Sequence, residues 1–200
     1  PNDDFLDMCC APGAKLILAS TVIQNDGSIT GVDLSRKRLN ICRSMTKKYK
    51  VNRLRLFCHD ATTFKSPVEV IKEKFSSRSE IQDWHMKNEH YHELSLRPPM
   101  HRSTDFLRHR KKFGIPTYSK ILVDVECTHD GSIKHVRKCM KLGWNHADMY
   151  KKEAVDELAS KQLEILEQGW SLLRKDKHSI LLYSTCSRTT KQIEEVIEKF

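Results

Sequence analysis

Five short apolar runs punctuate the chain, and between them lie stretches with helical periodicity; few folds accept that alternation. The runs are Phe5–Cys10, Ile29–Asp33, Leu54–Cys58, Ile121–Val125 and Ser179–Ser184. Apolar runs this short and continuous read as strands buried on both faces, as in a parallel sheet. Helical patterning covers Lys15–Gln24, Arg36–Tyr49 and Val155–Leu173, the last with apolar residues at Leu158, Leu163, Ile165, Leu166, Trp170 and Leu173. The alternation predicts an α/β fold: one doubly wound, mostly parallel sheet with helices on both faces.

The stretch 65–119 breaks the rhythm. It has few aliphatics, carries Pro67, Pro98, Pro99 and Pro116, and contains the basic run Arg108-His109-Arg110-Lys111-Lys112. It reads as a flexible insertion in a single domain spanning 1–200. Its charge has two readings, a solvated loop or an RNA-contacting arm.

Hydrophobic residues make up 38% of the chain and no apolar run reaches the roughly 20 residues that span a bilayer, which argues against a membrane protein. A formal charge of +9 suits a polyanionic partner and favours nucleic acid over an acidic membrane. Seven cysteines, an odd number in a domain able to build its own core, imply a reducing compartment. None forms a Cys-x-x-Cys pair or a zinc-finger spacing with histidine, so no structural metal is expected.

In an open α/β sheet, ligands bind beyond the carboxyl ends of the strands. The first run passes through Cys10-Ala11-Pro12-Gly13-Ala14-Lys15 into a helix, a loop of small residues that lets a ligand approach the backbone. It lacks the Gly-x-Gly-x-x-Gly of dinucleotide folds and the Gly-Lys-Ser/Thr of phosphate loops. Asp33 ends the second run, placed to accept from a ribose diol, and Asp60 follows the third, placed to accept from an adenine amino group. Together the three strand ends favour a nucleoside ligand.

The fourth run ends in Asp124-Val125-Glu126-Cys127-Thr128 and the fifth in Tyr183-Ser184-Thr185-Cys186-Ser187. Two cysteines at adjacent strand ends suit one chemistry in particular. Cytosine carbon 5 is a poor nucleophile until a thiolate adds at carbon 6 and makes the ring enamine-like. An acid near ring nitrogen 3 must assist the addition, and a base must later remove the carbon-5 proton. Asp124 and Cys127 are placed for those tasks.

These segments resemble the Nop/Sun family of RNA 5-methylcytosine methyltransferases. The matching residues are Asp7-Met8-Cys9-Cys10-Ala11-Pro12-Gly13-Ala14-Lys15, Asp33, Asp60, Asp124 through Ser132, Tyr183 through Ser187, and Glu194, all in family order. The resemblance implies a Rossmann-like S-adenosylmethionine-dependent methyltransferase fold and an RNA substrate, tRNA or rRNA. It implies that Cys186 attacks the cytosine, that Cys127 helps release the product, and that Asp124 holds the base. Cys10, Ala11, Pro12, Gly13, Ala14, Lys15, Asp33, Arg38, Asp60 and Asp124 are implied as the S-adenosyl-L-methionine site. A monomer is expected, without metal or membrane, inside the cell: nucleus, nucleolus or cytoplasm, with the mitochondrion also open. A catalytically impaired RNA-binding scaffold with the same fold is the alternative.

Three departures from the family pattern stand out. Glu126 occupies the usual proline position, and a carboxylate there is expected to raise the Cys127 thiol pKa. Ala14 and Leu16 replace a glycine and a threonine of the cofactor loop; Ala14 fits only with negative φ. Ile193 stands where asparagine is common. The family domain also continues past both ends of this segment, so the fold is expected truncated at both, with an uncovered sheet edge after the fifth strand. The basic stretch from Gly131 to Trp144 reads either as a solvated helix or as an RNA contact beside the site.

Overall fold

The computed structural model describes residues 3–23, 27–51, 54–65, 118–143 and 151–200. Nearly all of the expected insertion, and Trp144, lie outside them. The five apolar runs form β1 (Asp4–Asp7), β2 (Ser28–Asp33), β3 (Leu54–Cys58), β4 (Lys120–Asp124) and β5 (Ile180–Ser184). All pair in parallel in one sheet of order β3-β2-β1-β4-β5. The order therefore reverses between β1 and β4, which opens a crevice at their carboxyl ends.

Helices cover both faces. On one, α1 (Ala14–Val22) and α2 (Arg36–Lys48) bury Leu16, Leu39 and Cys42 against Ile29, Leu54 and Leu56. A short helix, α3 (Ile133–Lys141), follows β4. On the other face, α4 (Lys152–Leu172) and the short α5 (Glu194–Lys199) pack Ile165, Leu166 and Val196 over Leu6, Val32, Ile121 and Val123. Among the described residues no helix is long and apolar enough to cross a membrane.

Two local differences from the sequence reading have physical causes. The first run stays a strand only to Asp7, because the Asp7 carboxylate accepts from the Cys9 amide at 3.1 Å and draws the chain into a turn. On α4 the buried stripe is Val155, Ala159, Gln162, Ile165, Leu166, Gly169 and Leu172, so Gln162 faces inward while Trp170 is exposed. Trp170 instead lies under the Lys175 ammonium, 3.2 Å from the ring centroid.

Among the described residues the fifth strand pairs with β4 alone, and Ile180 and Leu182 are more than half exposed on it.

Candidate active site

Strands β4 and β5 end in register, Asp124 opposite Ser184. The chain then leaves each strand in a loop, and Cys127 and Cys186 meet across the gap with their sulfur atoms 3.1 Å apart. Cys127 is buried and Cys186 exposed. Both expected chemical residues thus share one place, 59 residues apart in the chain.

A buried polar network sets this meeting. Gln162 of α4 donates from Nε2 to the Glu126 carbonyl at 2.8 Å and to Gln192 Oε1 at 3.1 Å. Gln192 Oε1 also accepts from the Thr128 amide at 3.2 Å, and the single Tyr183 hydroxyl proton lies between two acceptors, the Gln192 carbonyl at 2.8 Å and Gln162 Oε1 at 3.1 Å. The Thr128 hydroxyl bonds to Asp130 and lies 3.0 Å from Ser187 Oγ, while Asp130 accepts from the Arg188 amide. Each of these buried polar groups has a partner, which rigidifies the two loops. Glu126 contributes its carbonyl; its side chain is exposed.

Gly131 closes the arrangement, its amide donating to the Cys186 carbonyl at 2.9 Å. A β-carbon at Gly131 would fall 2.5 Å from that oxygen. Gly131→Ala is therefore expected to push the Cys186 loop away at a cost of about 1–3 kcal/mol. A thermal melt measures the loss, and an unchanged melting temperature would contradict the contact.

His129 is a member of the site that sequence reasoning did not single out. It sits between the thiols, Nδ1 at 3.1 Å from Cys186 Sγ and 3.5 Å from Cys127 Sγ, and its amide donates to Cys127 Sγ at 3.4 Å. Its φ of 56° is uncommon for a side chain of this size. The imidazole stacks on His135 of α3 with centroids 4.5 Å apart. Burial first, and then the neighbouring His135, hold its pKa below the ordinary value. The Cys-x-His spacing was the available signal, since it puts two donors on one short loop. Cys186 has its thiol pKa pushed up to about 12, by burial first and then by Cys127.

Across the crevice, Lys15 at the start of α1 pairs with Asp124, which joins the loop after β1 to the chemical end. Gly13 holds that loop at φ 107°, and a β-carbon there would meet Cys42 Sγ at 2.8 Å. Ala14 is the first helical residue and has no positive φ, as its residue type requires. Asp33 is buried and turned inward: Oδ2 accepts from the Ala11 amide at 3.1 Å and Oδ1 from the Ser35 amide at 2.9 Å. One lone pair on each oxygen remains for a ligand. Arg38 donates to the Ala11 carbonyl at 2.7 Å and lies 3.8 Å from Asp33, so it braces the loop. Asp60 accepts from the Thr62 amide and hydroxyl on Oδ1; Oδ2 accepts no hydrogen bond from the described residues. Burial tends to raise the Asp60 pKa, but the Thr62 hydrogen bonds outweigh it and the net shift is downward. The acceptor set, partly satisfied carboxylates at the ends of β2 and β3, fits the hydroxyls of a ribose and the amino group of a base. Cys10 is a buried member of the loop, Ala11 is buried through its backbone bonds, and Pro12 is exposed after a cis peptide.

Asp7 is a second residue the motif contained without an assigned role. Fully buried at the end of β1, its pKa is raised to about 7, by burial first and then by Asp124 and Asp33 against the opposing Cys9 hydrogen bond. A carboxyl whose folded pKa exceeds its unfolded 3.8 stabilises the fold most below pH 3.8, and that contribution is lost as pH rises through 7. Asp7→Asn is thus expected to gain stability over wild type by roughly 2–4 kcal/mol at pH 8 and by little at pH 4. Urea midpoints of both proteins at the two pH values test this, and a gain independent of pH would refute it.

This parallel sheet order, with helices on both faces, is the Rossmann-like fold of S-adenosylmethionine-dependent methyltransferases. Residues 1–77 and 85–200 match the model of the 16S rRNA methyltransferase RsmB/F family, and the chain belongs to that family. It is 22% identical over 197 residues to the mouse tRNA (cytosine(72)-C(5))-methyltransferase NSUN6, covering 98% of this chain and 32% of that protein. It is 20% identical over 191 residues to ribosomal RNA small subunit methyltransferase F of Psychromonas ingrahamii, covering 96% and 28%. The chain thus spans about a third of the length of these curated relatives. Among solved structures, NSun6 of Pyrococcus horikoshii, with an S-adenosylmethionine analogue, superposes with a TM-score of 0.62 at 20% identity, over 98% of this chain and 36% of that one. A methyltransferase homologue from the same organism gives 0.59 at 21% identity, over 100% and 44%.

Proposed function

We propose that this chain is the catalytic domain of an S-adenosylmethionine-dependent RNA (cytosine-5) methyltransferase acting through a covalent Cys186 adduct. The observation that carries the reading is the 3.1 Å approach of two thiols beside an aspartate tied to the cofactor loop. Family membership supports the reaction class, and the relatives' names, one tRNA and one ribosomal RNA enzyme, support RNA as acceptor.

The cofactor, when bound, supplies a sulfonium methyl group to carbon 5. Cys186 passes its thiol proton to His129 Nδ1, 3.1 Å away, and Sγ adds to carbon 6 of the cytosine; the ring electrons shift toward carbon 5, and Asp124 holds the edge bearing nitrogen 3. After transfer Cys127 takes the carbon-5 proton as it gives its own to Cys186 Sγ, 3.1 Å away; the freed C–H pair re-forms the double bond between carbons 5 and 6, and the carbon–sulfur pair leaves on Cys186. Cys10 through Lys15, Arg38, Asp33 and Asp60 form the cofactor wall. A base inside a duplex must be flipped out or already unpaired, which favours looped RNA. Trapping on RNA carrying 5-azacytosine tests the reading, since a scaffold that does not turn over forms no adduct.

Exposed Lys134, Arg137, Lys138 and Lys141 on α3 follow directly from the Cys127 loop and suit RNA phosphates. Replacing Arg137 and Lys138 with glutamine is expected to reduce the salt slope of RNA binding by roughly 0.7–0.9 for each phosphate that is no longer neutralised. An unchanged slope would make α3 a solvated helix.

A further inference from the structure

We propose that Cys127, His129 and Cys186 form a binding site for a thiophilic d10 cation of the zinc class, whose occupancy closes the reactive pocket. Among the described residues this is the one group of three His, Cys, Asp or Glu donors placed to share an ion, with the ligand atoms all within 4.8 Å of one another. Their separations are 3.1 Å between the sulfurs, and 3.1 and 3.5 Å from His129 Nδ1 to Cys186 and Cys127. Tetrahedral zinc, with bonds near 2.3 Å to sulfur and 2.0–2.1 Å to nitrogen, holds such donors about 3.5–3.8 Å apart. The trio therefore reaches that geometry by opening about 0.7 Å at most.

Donor chemistry decides which cation fits. Two thiols and an imidazole, with no carboxylate among them, select a soft or borderline ion and disfavour magnesium and calcium. The supports are built as well: the Cys127 loop is anchored through Thr128 to Gln192, the Cys186 loop through Gly131, and the imidazole against His135. Outer contacts of this kind are what hold metal ligands in place. Cys186 is exposed, so a three-ligand site keeps its fourth position toward solvent, where water completes the shell. On binding, both thiols release their protons to solvent and each sulfur gives a lone pair to the cation; His129 binds through Nδ1 with its proton on Nε2. The cation withdraws electron density from a sulfur bound in this way and stands in front of it, so the sulfur is a weakened and shielded nucleophile toward carbon 6 of a pyrimidine.

The second part of the inference, closure of the pocket, rests on the function proposed above; metal binding itself does not. The test is a cobalt(II) titration of the full chain under a phosphine reductant, read by the sulfur-to-cobalt charge-transfer band, followed by displacement with zinc(II). One equivalent is expected to saturate the band. His129→Asn keeps a residue that tolerates positive φ but removes the imidazole, and Cys186→Ser removes an exposed thiol. Each is expected to weaken binding more than about 100-fold, beyond the 10–100-fold typical of outer-shell losses. Cys58→Ser, a partly exposed thiol on β3, is expected to bind as wild type does. No band at equimolar metal, or a band kept in both site variants, would overturn the site. Zinc is further expected to block trapping on 5-azacytosine RNA, with a chelator restoring it; trapping by zinc-saturated protein would overturn closure. A metal-free chain that traps no RNA counts against the proposed function alone, because the cobalt band does not depend on RNA.

Discussion

Cys186→Ala is expected to form no covalent complex with RNA carrying 5-azacytosine, where the wild-type protein forms one that survives denaturation. The azacytosine ring has nitrogen at position 5 and so no proton there to remove, which stops expulsion of the enzyme after the thiol has added. Removing the nucleophile prevents addition altogether, and turnover on ordinary RNA should fall by at least about 10⁴-fold. The variant is readable because the side chain is exposed and its truncation leaves no buried void. The Gly131 hydrogen bond to residue 186 uses the main-chain carbonyl and survives the change. Denaturing gels of the two proteins with the same labelled RNA give the answer, and an adduct of equal yield in the variant would remove Cys186 from the mechanism.

The opposite behaviour is expected of Cys127→Ala. Its sulfur lies 3.1 Å from that of Cys186, where a thiol proton can be shared with the departing sulfur as the carbon–sulfur bond breaks. Departure is helped by that proton, because a sulfur leaves more readily as a thiol than as a bare thiolate in a partly buried site. Without Cys127 the adduct should accumulate on ordinary cytosine RNA, with turnover lower by about 10²–10⁴-fold. Cys127 is buried, so a modest loss of stability accompanies the change and is measured separately by thermal melt. Should Cys127→Ala abolish the adduct and Cys186→Ala retain it, the two roles are reversed.

Local patterning carried much of this protein. Continuous apolar runs made all five strands legible, although the fifth is not buried on both faces, with Ile180 and Leu182 more than half exposed; the small-residue loop from Cys10 to Lys15 that leads into α1 was legible too. Ala14 could be restricted to negative φ from its residue type alone, as found. Trp170 and Gln162 show where such reasoning fails. Helical periodicity places a tryptophan inside and a glutamine outside, yet the Gln162 amide meets Glu126, Gln192 and Tyr183 in the interior while Trp170 pairs with Lys175 at the surface. For Asp33 the strand end was legible, while its bonds to the Ala11 and Ser35 amides, which orient the carboxylate, follow only from the fold.

What residue order alone determined is the set of strands, the loop that enters α1 and the residue types at each strand end, because these follow from interactions between near neighbours. What tertiary structure decided is which ends meet. Strand order β3-β2-β1-β4-β5 and the parallel register of Asp124 with Ser184 bring Cys127, His129 and Cys186 to one point and Lys15 to Asp124. Those contacts join residues far apart in the chain, and their distances depend on buried hydrogen bonds that exist only after the sheet has closed.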